Sequence, residues 1–488
     1  MGLAFVPLYI KYLGIEAYGL IGLFSMLQAW LSLLDMGMTP TLGREMARFT
    51  GGTHSAQSIR DLLRSIEFIT FGIALLIAGG IALGSNWIAT HWLQAEALPV
   101  EVVTQAFTVM GVVTALRFTE TIYRSSIIGL QRQVLYSTVN STMATMRGLG
   151  AIAILAWVSL TIQAFFLWQA FISIATLTIL AAITYATLPR TERGGRFSLE
   201  ALRGVWRFAG GMIGIAFLAL LLTQVDKILL SKLLSLSEYG YYTLAATVAA
   251  ALYMLISPIT QAWYPRLCKL HASDDQSALA ETYHQGAQLV SVIAGSAAIV
   301  MILFAETFLR LWTQDAVLAH RVAPLLSLLM LGNLLNGLMW IPYQTQLAHG
   351  WTSLAVRINI FAVAIIVPSI IWATPHYGAE GAAWVWVGLN TGYLLLGIHF
   401  MYRRILRHEK WFWYFHDVLT PLGAELLGAG LLTLLWPFES SILADLTLLI
   451  LASGITLSSA ILAANRTRRK LRFLLNFYLN KWKTIHEL

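Results

Sequence analysis

The amino-acid sequence predicts an all-α protein that crosses a membrane many times, and three observations lead to that prediction. Only 11% of the 488 residues are charged, whereas about a quarter are charged in a typical soluble domain. Hydrophobic residues make up 58% of the chain. They gather in runs of about 20 residues, the length of helix that crosses roughly 30 Å of hydrocarbon. The single cysteine, Cys268, excludes an intrachain disulfide, so a secreted disulfide-rich fold is excluded as well.

About fourteen apolar runs are candidate membrane spans, and polar stretches follow the second, sixth, eighth and twelfth of them. The first run covers only about half the length that a crossing needs. We therefore expect either that Met1 is not the true start or that the first helix is short. The candidate spans are residues 1–13, 17–38, 66–88, 104–130, 136–160, 162–187, 208–232, 240–264, 285–309, 322–347, 354–374, 380–401, 417–436 and 441–463.

The positive charges are distributed unevenly between the loops. Of the 32 Lys and Arg residues, 23 lie in loops that follow even-numbered spans or in the C-terminal tail, and four lie in the other loops. Because Lys and Arg accumulate in cytoplasmic loops, this asymmetry predicts a multi-pass protein with its C-terminus in the cytoplasm. The net charge of +8 is thus interpreted as a topology signal, and no nucleic-acid partner is expected.

An internal repeat is predicted from the alignment of residues 13–39 with residues 234–260, which has eight identical pairs at an offset of 221. An even number of spans separates the copies, so both have the same orientation, as in transporters with parallel repeats and a substrate path between the halves. Shared composition of apolar helices is the alternative. The predicted domains are a six-helix bundle (1–188), a cytoplasmic linker with a surface helix (189–207), a second six-helix bundle (208–401), two additional spans (402–463) and a basic amphipathic tail (464–488).

Basic residues inside the predicted spans are the candidate substrate-binding residues. Each costs about 2.5–3.5 kcal/mol at the centre of a spanning helix, so we expect these side chains to face a central cavity or a protein interior. Arginine suits phosphate and pyrophosphate, because its planar group donates two hydrogen bonds and stays charged. Structural ion pairs between helices are the alternative. The predicted cationic cavity contains Arg117, Arg124, Arg147, Arg357 and Lys227.

Acidic residues inside or at the ends of the predicted spans are candidates for ion coupling or for structural pairing. Glu120 shares a helix face with Arg117 and Arg124, at spacings of three and four residues, and can neutralise only one of them. Asp226 and Lys227 are adjacent, so we expect their side chains to point to different sides. The four acidic candidates are Glu120, Asp226, Asp35 and Glu425.

Enzyme signatures are absent from the sequence. It contains no P-loop, no H-E-x-x-H metalloprotease motif and no G-x-S-x-G serine-hydrolase motif. We therefore predict a protein that is not an enzyme, with no catalytic residues, no metal site and no cofactor. Glu281 and His284 have the spacing of metal ligands, but they stand alone in a polar stretch, which predicts surface residues without a role.

Five segments carry a resemblance to a known family: YLGIEAYGLIGLF (12–24), LLDMGMTPTLGREMAR (33–48), GLQR (129–132), QVDKILLSKLLSLSEYGYYTLA (224–245) and EGAAWVWVGLN (380–390). With them the chain resembles the bacterial polysaccharide (O-antigen) flippases of the multidrug/oligosaccharidyl-lipid/polysaccharide exporter superfamily. The resemblance implies two helical bundles around a cationic lumen in the inner membrane. The implied cargo is an undecaprenyl-pyrophosphate-linked oligosaccharide, which moves from the cytoplasmic to the periplasmic leaflet by alternating access. Coupling to a proton or sodium gradient is expected from the acidic residues of the spans.

The expected partners are the lipid-linked oligosaccharide, a polysaccharide polymerase and a chain-length regulator, and the basic amphipathic tail predicts contact with anionic membrane lipids. Three alternatives stay open: a drug/cation antiporter of the same superfamily, the lipid II flippase of cell-wall synthesis, and an integral-membrane polysaccharide polymerase or ligase. The surplus of arginine argues against a cationic cargo. The predicted periplasmic loops of about ten residues argue against an enzyme that holds an acceptor sugar there.

Overall fold

The computed structural model divides into two compact units, Met1–Gly240 and Tyr241–Leu488. Secondary structure in the described residues is helical apart from one isolated bridge between Gln94 and Ser235, so the predicted all-α class is confirmed. The domain boundaries predicted from the repeat stay a prediction. The structure describes residues 2–35, 37–52, 54–191, 193–199, 202, 217, 220–351, 353–435, 441–470 and 472.

The helices of the first unit are numbered in chain order. A short 3-10 turn, Ser32–Asp35, follows the second helix, and a wider π turn, Ile88–Trp92, extends the fourth. The helices are α1 (Gly2–Leu13), α2 (Ile15–Leu31), α3 (Met38–Thr50), α4 (Ala56–Trp87), α5 (Val100–Gly129), α6 (Gln133–Trp157), α7 (Ile162–Thr187), α8 (described over 220–233) and α9 (Leu236–Ala250), which begins in this unit.

The numbering continues through the second unit. Two π turns, Tyr393–Gly397 and Trp413–Leu419, lie between its later helices. The helices are α10 (Leu252–Ala272), α11 (Gln276–Leu303), α12 (Ala305–Thr313), α13 (Ala316–Leu338), α14 (Trp340–Ala348), α15 (Ser353–Gly392), α16 (Ile398–Tyr402), α17 (Lys410–Phe412), α18 (Thr420–Leu435) and α19 (Ile442–Ala463).

Ten helical segments of the described residues are long and apolar enough to cross a membrane. They cover eleven of the fourteen predicted spans, because the predicted spans 354–374 and 380–401 lie in one continuous segment, Ser353–Tyr402. The other three predicted spans do not fall in the ten. α1 has only 12 residues, the first half of α6 is rich in Ser, Thr and Asn, and much of 208–232 lies outside the described residues.

The continuous segment Ser353–Tyr402 changes direction at Gly378. Its 50 residues would extend about 75 Å if they formed one straight helix, more than twice the thickness of the hydrocarbon layer. Gly378 has φ 60° and ψ −148°, a combination that is essentially restricted to glycine. No polar loop separates the two predicted spans here, so a single residue interrupts the helix.

One helix lies at the centre of each unit. α5 packs against α2, α3, α4, α6 and α7, and α11 packs against α10, α13, α18 and α19. Both helices have buried side chains around most of their circumference, as expected for a helix surrounded by others. Large apolar side chains such as Leu76, Phe361 and Leu434 are exposed on the outer helices, as expected for surfaces that contact lipid.

Two predicted surface elements fall on residues that the structure does not describe. The linker 189–207 is described at 189–191, 193–199 and 202, so its predicted surface helix is described only in part. The amphipathic tail, 464–488, is described only as far as 470 and at 472. Both stay predictions.

Two glycines allow α3 and the end of α5 to approach closely. A Cβ atom at Gly129 would meet the backbone oxygen of Gly43 and would lie 2.7 Å from the Cβ of Met46. A Cβ atom at Gly43 would lie 2.6 Å from the Oγ of Ser125. Because backbone sits opposite Gly129, the clash there cannot be relieved by a side-chain rotation.

Glu45 of α3 is the centre of a charged group outside the candidate spans. Its carboxylate accepts hydrogen bonds from Arg44 (2.7 Å) and Arg48 (3.2 Å) and contacts Nε2 of His54 (2.7 Å). Burial by itself raises the pKa of this carboxyl, but the bonds from His54 and Arg44 and the nearby positive charges outweigh burial. The pKa of Glu45 is therefore lower than its ordinary value.

We expect Gly129→Ala to destabilise the protein by about 1–3 kcal/mol, because overpacking a close contact forces the backbone to shift. The matched control is Gly80→Ala on α4, where an added Cβ meets nothing within 4 Å. Its thermal midpoint should equal or slightly exceed that of the wild type, since alanine favours helix. Thermal unfolding in detergent measures both. Equal midpoints for the two variants would contradict the close α3–α5 contact.

The charged group at Glu45 predicts a pH dependence. Because its pKa is lowered in the folded state, the stabilisation is present above the ordinary glutamate pKa and is lost as the pH falls through the lower, folded value. Between about pH 6 and about pH 3.5, the thermal midpoint of the wild type should therefore fall more than that of Glu45→Gln. Parallel pH profiles of the two proteins would show that Glu45 contributes no such stabilisation.

Candidate functional site

A group of polar side chains lies among the apolar helices of the first unit, with Arg117 of α5 at its centre. The two terminal nitrogens of Arg117 donate hydrogen bonds to Oε1 of Gln28 on α2 (3.0 Å) and to Oε1 of Gln169 on α7 (2.9 Å). Its guanidinium also lies 5.0 Å from the centre of the Phe24 ring. Three helices thus fix the position of one cation, about 18 Å along the helix axis from the end of α5.

Arg147 of α6 and Glu120 of α5 belong to the same group. Arg117, Glu120 and Arg147 interact electrostatically with one another. In the part of the chain that the structure describes, no ion pair within 4 Å joins Glu120 to either arginine. One carboxylate and two guanidiniums leave a surplus of positive charge, the sign that the sequence predicts for the site.

The group has hydrogen-bonding capacity that the described protein atoms do not use. Buried atoms without a partner in the described residues include Nε of Arg117, Nε and Nη2 of Arg147, Oε1 of Glu120 and Nε2 of Gln28. An unsatisfied buried group costs about 1–3 kcal/mol, and more when it is charged. Three donors on two cations suit an oxyanion, whose oxygens accept hydrogen bonds without donating any.

Arg124 and Arg357 lie outside this group. Arg124 is exposed and lies seven residues after Arg117, a distance of about 10 Å along α5. Its guanidinium lies 5.7 Å from the centre of the Tyr136 ring. Arg357 is exposed on α15 of the second unit. The structure therefore brings together two of the five predicted basic residues.

The prediction for Asp226 and Lys227 is wrong. Their side chains do not point apart: Nζ of Lys227 lies 3.4 Å from Oδ2 of Asp226 and also donates to the backbone oxygen of Thr223 (3.0 Å). A long lysine side chain can curl back to its neighbour, which the 100° rotation per residue of a helix does not reveal. Their charges offset one another, so this pair adds little to a cationic site.

Asp35 and Glu425 occupy two different environments. Asp35 accepts a hydrogen bond from the backbone nitrogen of Thr39 (3.1 Å), so it satisfies a backbone donor near the start of α3. Glu425 of α18 is fully buried, and Ser296 of α11 donates to its Oε1 (3.0 Å). Its Oε2 has no hydrogen-bond partner in the described residues. Of these two carboxylates, Glu425 has the isolation expected of an ion-coupling group.

His284 is a residue that the sequence interpretation missed. It is 1% exposed, so the prediction of a surface residue is wrong. Its Nδ1 contacts Oδ2 of Asp417, and its Nε2 lies 3.1 Å from Oε2 of Glu409. Both ring nitrogens therefore contact carboxylates, one on each side of the imidazole. The carboxylates lie more than 120 residues away along the chain, so no local pattern could indicate them.

A second missed group joins amide and aromatic side chains in the second unit. The hydroxyl of Tyr253 donates to Oδ1 of Asn333 (3.1 Å), and the indole of Trp386 donates to the same oxygen (2.9 Å). Asn336 donates to Oδ1 of Asn390 (2.9 Å). Part of this group could have been found from the sequence, because Asn333 and Asn336 of α13 are three residues apart and therefore share one helix face.

Comparisons with known proteins show a consistent set of similarities. Residues 1–271 match the family model described as "Polysaccharide biosynthesis protein", and residues 212–372 match the model described as MatE. A Shigella flexneri protein named "Putative O-antigen transporter" is 20% identical over 376 residues, which cover 77% of this chain and 87% of that protein. The lipopolysaccharide biosynthesis protein WzxC of Escherichia coli (strain K12) is 23% identical over 206 residues, 42% of this chain and 40% of that protein.

Two solved structures share the fold. The lipid II flippase MurJ in an inward closed conformation superposes with a TM-score of 0.70 at 11% identity, over 94% of this chain and 96% of that one. An inward-facing multidrug resistance transporter of the MATE family, in the MOP superfamily, superposes with a TM-score of 0.65 at 14% identity, over 84% and 94%. The chain is thus a polytopic helical membrane protein with a MATE- and MurJ-like fold.

We expect Gln169→Leu to destabilise the protein by about 1–3 kcal/mol, because it removes an acceptor from a buried guanidinium. In an Arg117→Leu background the same change should cost much less, since that cation is gone. Thermal midpoints of the two single variants and the double variant in detergent measure the coupling. Gln105→Leu, at an exposed position of α5, is the control. Additive effects of Gln169→Leu and Arg117→Leu would contradict the assigned contact.

Proposed function

The chain belongs to the polysaccharide biosynthesis protein family, and from this membership we propose that it moves a lipid-linked oligosaccharide across the bacterial inner membrane. The proposed cargo is an undecaprenyl-pyrophosphate-linked repeat unit of O-antigen or exopolysaccharide. It passes from the cytoplasmic to the periplasmic leaflet by alternating access. Similar proteins named for O-antigen transport and for lipid flipping support this choice of cargo.

The observation that carries the proposal is the partly buried pair Arg117 and Arg147, whose unused donor atoms are buried. A pyrophosphate offers several charged oxygens to two planar guanidiniums, each of which can donate in pairs. The donors are fixed before the ligand arrives, because Gln28 and Gln169 hold Arg117 in place. Glu120 offsets part of the charge, which limits the affinity and allows the cargo to leave again.

The other predicted residues take secondary roles in the proposal. Arg124 lies about 10 Å nearer to the end of α5 that is predicted to be cytoplasmic, so it meets the pyrophosphate before Arg117 does. Arg357 adds positive charge in the second unit. Lys227 contributes less, because Asp226 holds its ammonium group.

The sugars and the coupling ion are assigned to the second unit. Asparagine amides both donate and accept hydrogen bonds, as sugar hydroxyls do, so the amides near Trp386 and Tyr253 are the proposed sugar contacts. Glu425 is the proposed site of proton or sodium coupling, together with Glu120 in the first unit. The Glu425 carboxyl has one serine donor and no ion pair to break. It can therefore bind a proton or a cation at a lower free-energy cost than a carboxylate in an ion pair.

A drug/cation antiporter shares this fold, but the charge of the site does not favour that function. A cationic drug needs surplus negative charge, and the group around Arg117 has surplus positive charge. The proposal therefore keeps an anionic cargo. A proton or sodium gradient would act through the acidic residues alone.

We expect deletion of the gene to make undecaprenyl-pyrophosphate oligosaccharides accumulate in lipid extracts, with loss of surface polysaccharide. Arg117→Gln combined with Arg147→Gln should fail to restore export, lowering it by about tenfold or more, because charge-assisted hydrogen bonds contribute about 1.5–3 kcal/mol each. Replacement of both by lysine should restore part of the activity, since the charge stays. Mass spectrometry of the lipid extract measures the accumulation.

The matched control is Arg132→Gln combined with Arg407→Gln, which removes two positive charges at exposed positions. This variant should restore full export. Membrane levels of all variants are compared by immunoblot. Full export by the Arg117/Arg147 variant would disprove the site. If complete repeat units still reach the periplasmic face in the deletion strain and only their polymerisation fails, the protein is an assembly enzyme and the transport proposal is wrong.

A further inference from the structure

A cavity of about 630 Å³ lies in the second unit, and its lining includes no residue of the group around Arg117. It is bounded by the end of α10, the first part of α11, the turn Trp413–Leu419 and the chain that follows α19. These segments follow the eighth, twelfth and fourteenth predicted spans, so the distribution of Lys and Arg places the cavity on the cytoplasmic side. Its volume lies in the range of small-molecule sites.

The charge of the cavity lining is strongly positive. Four cations line it, and Glu281 is the one acidic residue among the described lining residues. Arg466 is held by Glu281 (Nε to Oε2, 3.0 Å). Arg266 and Arg469 are exposed and make no hydrogen bond or ion pair with the described residues, so their guanidiniums are free to bind an anion. The four cations are Arg266, Arg466, Arg469 and Lys470.

A buried amide fixes the cationic wall in place. Gln288 of α11 is 2% exposed. Its Oε1 accepts from the backbone nitrogens of Arg466 (2.9 Å) and Thr467 (3.0 Å), and its Nε2 donates to the backbone oxygen of His416 (3.2 Å). The guanidinium of Arg466 also lies 4.7 Å from the centre of the Phe412 ring. The cations are therefore presented by an anchored segment.

Apolar surface adjoins the cations. Phe412 and Ala463 line the cavity itself, and Leu419 and Leu462, beside lining residues Thr420 and Ala463, are more than half exposed. An inorganic anion makes no use of such a surface, whereas a phospholipid presents a phosphate and acyl chains together. Basic pockets between spanning helices on the cytoplasmic side suit anionic headgroups. We propose that this cavity binds the phosphate headgroup of an anionic phospholipid, independently of the transported cargo.

The test is binding of acyl-labelled phosphatidylglycerol to the purified full-length protein in a neutral detergent. Unlabelled phosphatidylglycerol, phosphatidylcholine and inorganic phosphate serve as competitors. Arg266→Gln combined with Arg469→Gln should weaken the binding by about thirtyfold, since each of the two basic residues near an anionic lipid contributes about 1 kcal/mol. These side chains make no polar contact with the described residues, so the variant should fold, which gel filtration and the thermal midpoint check.

The matched control, Arg403→Gln combined with Arg407→Gln, removes two exposed cations on the same predicted side and should change the affinity less than twofold. Equal losses in both double variants would show diffuse attraction and overturn the proposal. Competition by phosphatidylcholine as strong as that by phosphatidylglycerol would also overturn it. If inorganic phosphate displaces the labelled lipid at the same concentration as unlabelled phosphatidylglycerol does, the cavity is a site for free phosphate and the proposal is overturned.

Discussion

The need to keep guanidinium groups stable inside apolar helices is the constraint on which the first unit depends. A lone arginine in a spanning helix is costly, and Arg117 is tolerated because α2 and α7 each supply a glutamine acceptor and Phe24 supplies an aromatic face. α5 therefore has to lie between these helices, and its apolar side chains pack around a polar centre. The same contacts leave donors on Arg117 and Arg147 unused, so one arrangement supports both the fold and the proposed ligand.

The polar groups assigned to the cargo and its coupling ion differ between the two units. The group around Arg117 in the first unit has cations with unused donors, and the second unit supplies the buried Glu425 and a set of amides near Trp386. Such a division suits a cargo with a charged part and a hydroxyl-rich part, which is the character of the proposed lipid-linked oligosaccharide. Glu425, whose Oε2 has no hydrogen-bond partner in the described residues, belongs to the second unit, whereas Arg117 and Arg147 belong to the first.

Helix class, most spans and the position of Arg117 in a helix among other helices could be predicted from the sequence, because apolar run length and charge in a span are local properties. The failures have one physical origin. His284 and Asp417 are 133 residues apart, and nothing in a local pattern records which helices pack together. The pairing of Lys227 with Asp226 depends on a side-chain rotamer, and the continuity of Ser353–Tyr402 depends on one backbone angle. The partners of Arg117, Gln28 and Gln169, lie on other helices and are equally invisible to helical periodicity.

That backbone angle, at Gly378, has a consequence for how the gene can change. Every single-base change in a glycine codon that alters the residue introduces a side chain or ends the chain, and a side chain strains a backbone at φ 60° and ψ −148°. No loop residues lie beside Gly378 that could adjust to an altered backbone angle. Substitutions at this position are therefore not expected to be neutral. Strains that carry this gene should therefore encode glycine at position 378, even where the neighbouring apolar residues are exchanged for one another.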